Sequence, residues 1–153
     1  MSDATTKAEI LQYILESKHA VLTYVRRDLA PVTRAMGSFA PSGNDLYFST
    51  GKDTAKVKEI ERNTRVSFYF QHENQKMEAW KSVLLIGVAE QVEAGGKGYD
   101  DAIRSLGAKS PRFRDRVAKG DLENAAIYKV AVQELQYLDR SKGYGPPQRV
   151  LFP

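Results

Sequence analysis

The segment from residue 31 to residue 62 constrains the fold most, because two strand-like runs, a tight turn and a short helix follow one another almost without a spacer. The runs at 32–40 and 46–50 are rich in β-branched and aromatic residues, and Pro41-Ser-Gly-Asn-Asp45 between them is a strong hairpin signal. A helix is predicted at 54–62, with Val57 and Ile60 on its inner side. Strands joined by so short a turn pair antiparallel, so this segment predicts one hairpin of an antiparallel sheet.

The rest of the chain continues the pattern of strands with short connections. An amphipathic helix is predicted at 6–17, where Thr6 and Glu9 have the spacing of a capping box. Four further strands are predicted at 19–26, 65–71, 80–93 (with Gly87 as a bulge or bend) and 126–138. Two more helices are predicted at 98–106 and 111–119, the second with Pro111 in its first turn, before an irregular tail at 143–147.

Six strands with mostly short connections favour an antiparallel sheet that closes into a barrel, since closure removes exposed edges. The expected fold class is therefore α+β, a β-barrel with flanking helices, and the 153 residues are expected to form a single domain. No apolar run approaches the roughly 20 residues of a membrane span. The polar N-terminus lacks the pattern of a secretory signal, so we expect a cytoplasmic protein.

Composition excludes several kinds of chemistry. The absence of cysteine rules out disulfides, thiol catalysis and thiolate metal sites. Because His19 and His72 are the only histidines, we expect no metal site. The formal net charge of +4 permits binding to phosphates or nucleic acid without requiring it.

Donors of hydrogen bonds gather where the predicted hairpin passes into the helix at 54–62. Ser49 and Thr50 end the second strand, Lys56 lies in the first helical turn, and Arg34 lies on the neighbouring strand. First-turn N–H groups lack partners within their helix, so a phosphate monoester placed there would receive amide, hydroxyl and cationic donors. The sequence thus predicts a site for a phosphate-bearing ligand.

A plainer interpretation of the same residues stays open. Thr54 stands where a helix N-cap belongs and needs no ligand to explain it. Lys52, Lys56 and Lys58 would then form only a solvated basic face.

Four motifs together resemble a known family. They are Arg34-x-Met36, Leu46-Tyr-Phe-Ser-Thr50, Thr54-Ala-Lys56 followed by Val57-x-x-Ile60, and Val83-Leu-Leu-Ile-Gly87-x-Ala89. In order and spacing they resemble the pyridoxamine 5′-phosphate oxidase-like FMN-binding split barrels over about residues 6–138. The resemblance implies a six-stranded Greek-key split β-barrel that forms a homodimer and holds two flavins at the subunit interface.

The resemblance also implies roles for the matching residues at the phosphate end of FMN. Arg34 and Lys56 would contact the phosphate, and the hydroxyl of Thr50, with that of Thr54, would add hydrogen bonds.

Other positions would meet the rest of the flavin. The backbone around Ala35 and Met36 would face the polar edge of the isoalloxazine, and Ser49 would lie along the ribityl chain. Ser82 stands where family members often place a polar contact to the flavin. No catalytic residue is assigned.

The chain also departs from the family pattern. The true vitamin B6 oxidases carry an Arg-x-His element near the C-terminus, and neither histidine here has that context. Ala55 replaces a second basic residue beside the phosphate lysine. We therefore do not expect B6-phosphate oxidation, and a haem-degrading activity would require His19 or His72 as axial ligand.

The expected function is an FMN-dependent oxidoreductase that passes hydride or electrons from a reduced nicotinamide to a small acceptor or oxygen through flavin N5. The alternatives are a deazaflavin (F420) user, a flavin-binding protein without turnover and, from another class, a nucleic-acid-binding barrel. Three aromatic residues could line the flavin face or a substrate pocket, or could instead belong to the core or the dimer interface; they are Trp80, Tyr137 and Tyr144. Arg112, Arg114 and Arg116 are expected to form a solvated face, or else to attract an anionic substrate or nucleic acid.

Overall fold

A computed structural model describes residues 3–153, with four helices and eight strands in that range. The helices are α1 (Asp3–Glu16), α2 (Ala55–Arg62), α3 (Tyr99–Lys109) and α4 (Pro111–Ala118). The strands are β1 (Ala20–Val25), β2 (Pro31–Met36), β3 (Phe39–Ser42), β4 (Asp45–Gly51), β5 (Arg65–Phe70), β6 (Lys81–Gln91), β7 (Ala125–Asp139) and β8 (Gln148–Leu151). None of these helices is long and apolar enough to cross a membrane.

All strands belong to one curled antiparallel sheet in the order β2-β1-β5-β6-β7-β4-β3, with β8 paired to β7. The backbone N–H of Ser49 on β4 donates to the carbonyl of Ser38 at 3.1 Å, so the chain between β2 and β3 lies against β4. This contact draws the two ends of the sheet towards each other. The arrangement confirms the predicted α+β split barrel.

The predicted number of six strands is wrong for two reasons. The run at 32–40 divides at Gly37 and Ser38, because the chain leaves its pairing with β1 after Met36 and pairs with β4 from Phe39 onwards. The second reason is β8, which follows the irregular tail and for which the sequence predicts no element. That short strand is held by its pairing with β7, where Val150 is buried.

Gly87 marks an irregularity in the sheet, as predicted. The register between β6 and β7 shifts between Ile86 and Gly87, and the extra residue, Gln133, lies on β7. A Cβ at Gly87 would lie 2.5 Å from the Ala131 carbonyl oxygen, which is closer than atoms can pack. The bulge also shifts the alternation along β7, where the buried core residues before and after it are Tyr128, Val130, Leu135 and Tyr137.

Two apolar clusters hold the fold together. The larger fills the inner face of the sheet with aromatic side chains and is closed by Ile10 and Ile14 of α1 and by Val57 and Ile60 of α2. The smaller lies on the outer face of β4 and β7, beneath α3 and α4, and includes Tyr47, Ile127, Leu106 and Phe113. Alternation along β4 therefore separates Leu46 and Phe48 from Tyr47 and Ser49, as predicted.

Helix ends agree with the sequence in one case and not in another. Pro111 occupies the first turn of α4, as predicted. Ser110, for which the sequence analysis predicts no role, caps the helix by accepting the Phe113 N–H at 3.2 Å. The prediction of a capping box at Thr6 is wrong, because α1 begins at Asp3 and Thr6 is a buried residue within the helix.

Candidate functional site

Arg34 lies on β2, the edge strand of the sheet. It is paired with Leu22 of β1, so its side chain is on the inner face of the sheet, yet it remains exposed because no strand lies beyond β2. Its guanidinium donates one hydrogen bond, from Nη1 to the Thr33 carbonyl at 2.9 Å, which leaves further donors available. On the open side of β2, backbone N–H and C=O groups have no strand partner.

The N-terminus of α2 is uncapped. Thr54 holds the N-cap position with extended backbone, but its side chain accepts no first-turn N–H. The hydroxyl instead donates to the Gly51 carbonyl at 2.8 Å, so its proton is not available to a ligand. No acidic residue occupies the first turn, and the partial positive charge of the helix end is unopposed there.

Lys56 in this first turn is half-buried, and its pKa is lowered, first by burial and then by the positive charge of Arg34. Neither cation forms an ion pair with a carboxylate of the described residues. Two neighbouring cations, one of them desolvated, raise the free energy of the folded state unless an anion neutralises them. The arrangement fits the phosphate of FMN.

Ser49 and Thr50 lead into the Gly51 turn that precedes α2. Ser49 is buried, and its hydroxyl is hydrogen-bonded to that of Ser38. Thr50 is half-buried and has no side-chain hydrogen bond within the described chain. The contact of Ser49 with Ser38 places both residues beside the end of β2, where Ala35 and Met36 lie. Arg34 and Lys56 are close enough to interact electrostatically, and Ser38, the partner of Ser49, lies two residues beyond Met36. The structure therefore places the predicted residues at one corner of the barrel, around the end of β4 and the start of α2, with Arg34 on the inner face of the sheet and Ser49 on the outer face; they are Arg34, Ala35, Met36, Ser49, Thr50, Thr54 and Lys56.

Ser82 is the exception among the predicted site residues. It lies on β6, separated from β2 by β1 and β5, which is roughly 14 Å along the sheet. Its neighbour Val83 points into the inner core, so Ser82 faces the opposite side of the sheet from Arg34. Within one chain, Ser82 does not belong to the same corner.

The structure places the three arginines of α4 in two different surroundings. Arg112 and Arg116 both line a cavity that also contains Ser49 and Thr50, whereas Arg114 packs over Gly107 on α3. Their spacing of four residues, which places them on one side of a helix, is the signal that could have separated them from Arg114.

The aromatic candidates lie in three different environments. Tyr137 is a core residue whose burial raises its pKa to about 12, and Tyr144 is exposed under Arg140. Trp80 is half-buried at the start of β6.

The two histidines lie in different environments. His72 stacks on Tyr13 at 3.7 Å, and its Nε2 lies 2.9 Å from the Tyr13 carbonyl oxygen and 3.0 Å from the Ser17 hydroxyl. His19 is exposed. In the described range, no group of three histidine, aspartate or glutamate side chains could hold a metal ion.

The fold is a split barrel, and this corner gathers two cations beside an uncapped helix N-terminus. A family model described as pyridoxamine 5′-phosphate oxidase matches residues 6–139, and the chain belongs to this family. A search of curated protein sequences finds no match.

Solved structures share the fold at low sequence identity. A Bacteroides thetaiotaomicron protein named for 5-nitroimidazole antibiotic resistance is 18% identical, with a TM-score of 0.68 over 86% of this chain and 82% of that one. The heme storage protein HutZ from Vibrio cholerae is 19% identical, with a TM-score of 0.70 over 84% and 92%. A heme binding protein from Mycobacterium smegmatis is 15% identical, with a TM-score of 0.75 over 94% of this chain but only 56% of its own length.

Proposed function

We propose that the protein binds FMN and is an oxidoreductase that transfers hydride or electrons between a reduced nicotinamide and a small acceptor or oxygen. The observation that carries the proposal is the pair of cations, Arg34 and Lys56, beside an uncapped helix N-terminus without a neutralising carboxylate among the described residues. A flavin phosphate would supply the missing negative charge.

The residues of the corner divide between the parts of the cofactor. Arg34 and Lys56 would bind the phosphate, the hydroxyl of Thr50 would add a hydrogen bond, and Ser49 would lie along the ribityl chain. The open edge of β2 around Ala35 and Met36 offers backbone groups to the polar rim of the flavin ring. When bound, FMN supplies the hydride chemistry, while the protein orients it and shields it from water.

A homodimer is part of the proposal. The outer face of β1, β5 and β6 carries the register row Val21, Tyr69 and Leu84, of which Val21 is 39% and Tyr69 37% exposed. No helix covers this row, in contrast to the outer face of β4. A second copy packed there would bury apolar surface, and it would also bring Ser82 of one chain towards a flavin site that its own chain cannot complete.

Haem binding is the competing function, because two structural relatives are named for it. His72 is a poor candidate for the axial haem ligand, because its hydrogen bonds to the Tyr13 carbonyl and the Ser17 hydroxyl would have to break. His19 then remains as the sole free imidazole of the described chain. We prefer FMN because Arg34 and Lys56 lie beside an uncapped helix N-terminus, an arrangement that suits a phosphate monoester.

The test is to purify the protein and identify what it binds. We expect a flavin absorption spectrum, release of FMN on denaturation, and bleaching of the flavin by NADH or NADPH under anaerobic conditions. Uptake of F420 in place of FMN would support the deazaflavin alternative, and FMN binding without bleaching would support a binding protein without turnover. A colourless protein that takes up neither flavin, and that instead binds haemin or single-stranded nucleic acid saturably, would overturn the proposal.

A further inference from the structure

A cavity of about 330 Å³ lies between the end of β4, the start of β7 and helix α4. It is on the outer side of β4, next to the corner assigned to the cofactor, and shares Ser49 and Thr50 with that corner. Gly37 forms part of its rim, where a Cβ would meet no atom within 4 Å. The space is therefore open at the junction between β2 and β3.

Two guanidinium groups enter the cavity from α4. Arg112 is exposed and forms no ion pair with a described residue, while Arg116 Nε lies 3.9 Å from an Asp121 oxygen. That distance is at the limit of an ion pair, and the Asp121 side chain is 64% exposed, so the guanidinium of Arg116 is only weakly neutralised. No carboxylate lines the cavity.

The opposite wall supplies neutral hydrogen-bond donors. Ser38 and Ser49 are hydrogen-bonded through their hydroxyls, and this contact uses one of their two protons. The second proton, together with the side-chain amide of Asn124, remains available to a ligand, while the hydroxyl of Thr50 is assigned to FMN. Cations on one wall and hydroxyls on the other favour an oxyanion, because carboxylates and phosphates accept hydrogen bonds only.

We propose that this cavity binds the carboxylate or phosphate group of the second substrate, with Arg112 and Arg116 as its specificity-determining residues. The description of the ligand as a substrate rests on the proposed flavin function, whereas the oxyanion site itself does not. A substrate held there by its anionic end would lie beside the cofactor residues Ser49 and Thr50. The substrate class is thus a small organic acid or phosphate ester.

The test is a titration of the FMN-loaded protein with sodium phosphate and, in a separate experiment, with sodium succinate, both at constant ionic strength. Binding is monitored by the backbone amide chemical shifts. We expect saturable shifts at Ser38, Ser49 and the first turn of α4. Arg112→Gln and Arg116→Gln should each weaken binding by about tenfold or more, the loss expected for a charged hydrogen bond. A preference for one of the two salts identifies the anionic group.

Arg114→Gln is the matched control, since it removes one positive charge from the same helix outside the cavity. It should leave the affinity within about twofold, as expected for a distant surface charge. An equal loss in Arg114→Gln, or shifts that never saturate, would show nonspecific attraction and overturn the proposal. If Arg112→Gln weakened FMN binding as much as Lys56→Met does, the cavity would belong to the cofactor, which also overturns it.

The same titration on Lys56→Met separates this proposal from the proposed function. Loss of FMN binding with retained cavity shifts supports two distinct anion sites. Cavity shifts in a protein that never binds FMN would leave the oxyanion site intact and remove the flavin function. FMN binding without chemical-shift changes in the cavity would support the flavin function and overturn the oxyanion site.

Discussion

Replacement of Lys56 by methionine tests the anion site most sharply, because binding and stability should change in opposite directions. Methionine keeps most of the length and apolar contact of the lysine stem but removes the ammonium. In the free protein that ammonium is half-buried beside Arg34, and no described carboxylate offsets it. Its removal relieves both desolvation and like-charge repulsion, so the free energy of unfolding should stay the same or rise.

Binding of FMN should weaken in the same variant. A hydrogen bond from a charged donor to an anion contributes about 1.5–3 kcal/mol. Because Lys56 is partly buried, we expect its contribution to fall in this range and not near zero, as for an exposed ion pair. The Kd for FMN should therefore rise by about 10- to 100-fold. Arg34→Ala should weaken FMN binding by about 1–3 kcal/mol for the same reason.

Fluorescence quenching of FMN gives the Kd, and denaturant unfolding of the flavin-free protein gives the stability. Lys58→Met is the control, since Lys58 is exposed on the same helix and should change the Kd by less than about twofold. An unchanged FMN affinity in both Lys56→Met and Arg34→Ala would refute the assignment of the site. A strong loss of stability in Lys56→Met would show that the lysine has a structural role instead.

Three further predictions concern the core and the pH dependence. Gly87→Ala should lower the free energy of unfolding, measured with denaturant, by about 1–3 kcal/mol or more, because the new Cβ would collide with the Ala131 carbonyl oxygen. Gly37→Ala is the control, because a Cβ there meets open space, and it should change the free energy of unfolding by less than about 0.5 kcal/mol. Tyr128→Phe should raise the free energy of unfolding by about 1 kcal/mol, since the buried hydroxyl has no described hydrogen-bond partner; a loss of similar size would reveal one. FMN affinity, measured against pH, should rise through the second ionisation of the phosphate near about pH 6 and fall again as pH approaches the lowered pKa of Lys56. In Lys56→Met the alkaline fall should disappear, and its persistence would show that another group titrates.

Local signals in the sequence were sufficient for most of the fold. The hairpin turn, the place of Pro111 in the first turn of α4 and the irregularity at Gly87 depend on residues close in sequence or on one residue type, and the structure confirms each. The division of β2 from β3 and the existence of β8 depend on which distant strand the chain pairs with. Such pairings leave little trace in the alternation of one segment.

The candidate site likewise contains residues that local sequence signals predict and residues whose position depends on long-range packing. Arg34 lies on β2, which pairs with β1 and not with β4 as the predicted hairpin required, so its position near Lys56 depends on how the sheet closes. The run from Ser49 to Lys56 is local, so its convergence on a helix N-terminus could be predicted. The contribution of Arg112 could not, because it depends on how α4 packs against β4. The hydroxyl of Thr54 also differs from expectation, since the Gly51 carbonyl competes successfully for its proton.

Comparison of FMN with riboflavin, which lacks only the phosphate, measures the anion site directly. Both affinities can be obtained by fluorescence quenching on the same flavin-free protein. If Arg34, Lys56 and the N-terminus of α2 bind the phosphate as proposed, FMN should bind about 100-fold or more tightly than riboflavin, and Lys56→Met should reduce that ratio of affinities. Equal affinities for the two flavins, or a Lys56→Met variant that weakens both alike, would contradict a phosphate site at this corner of the barrel.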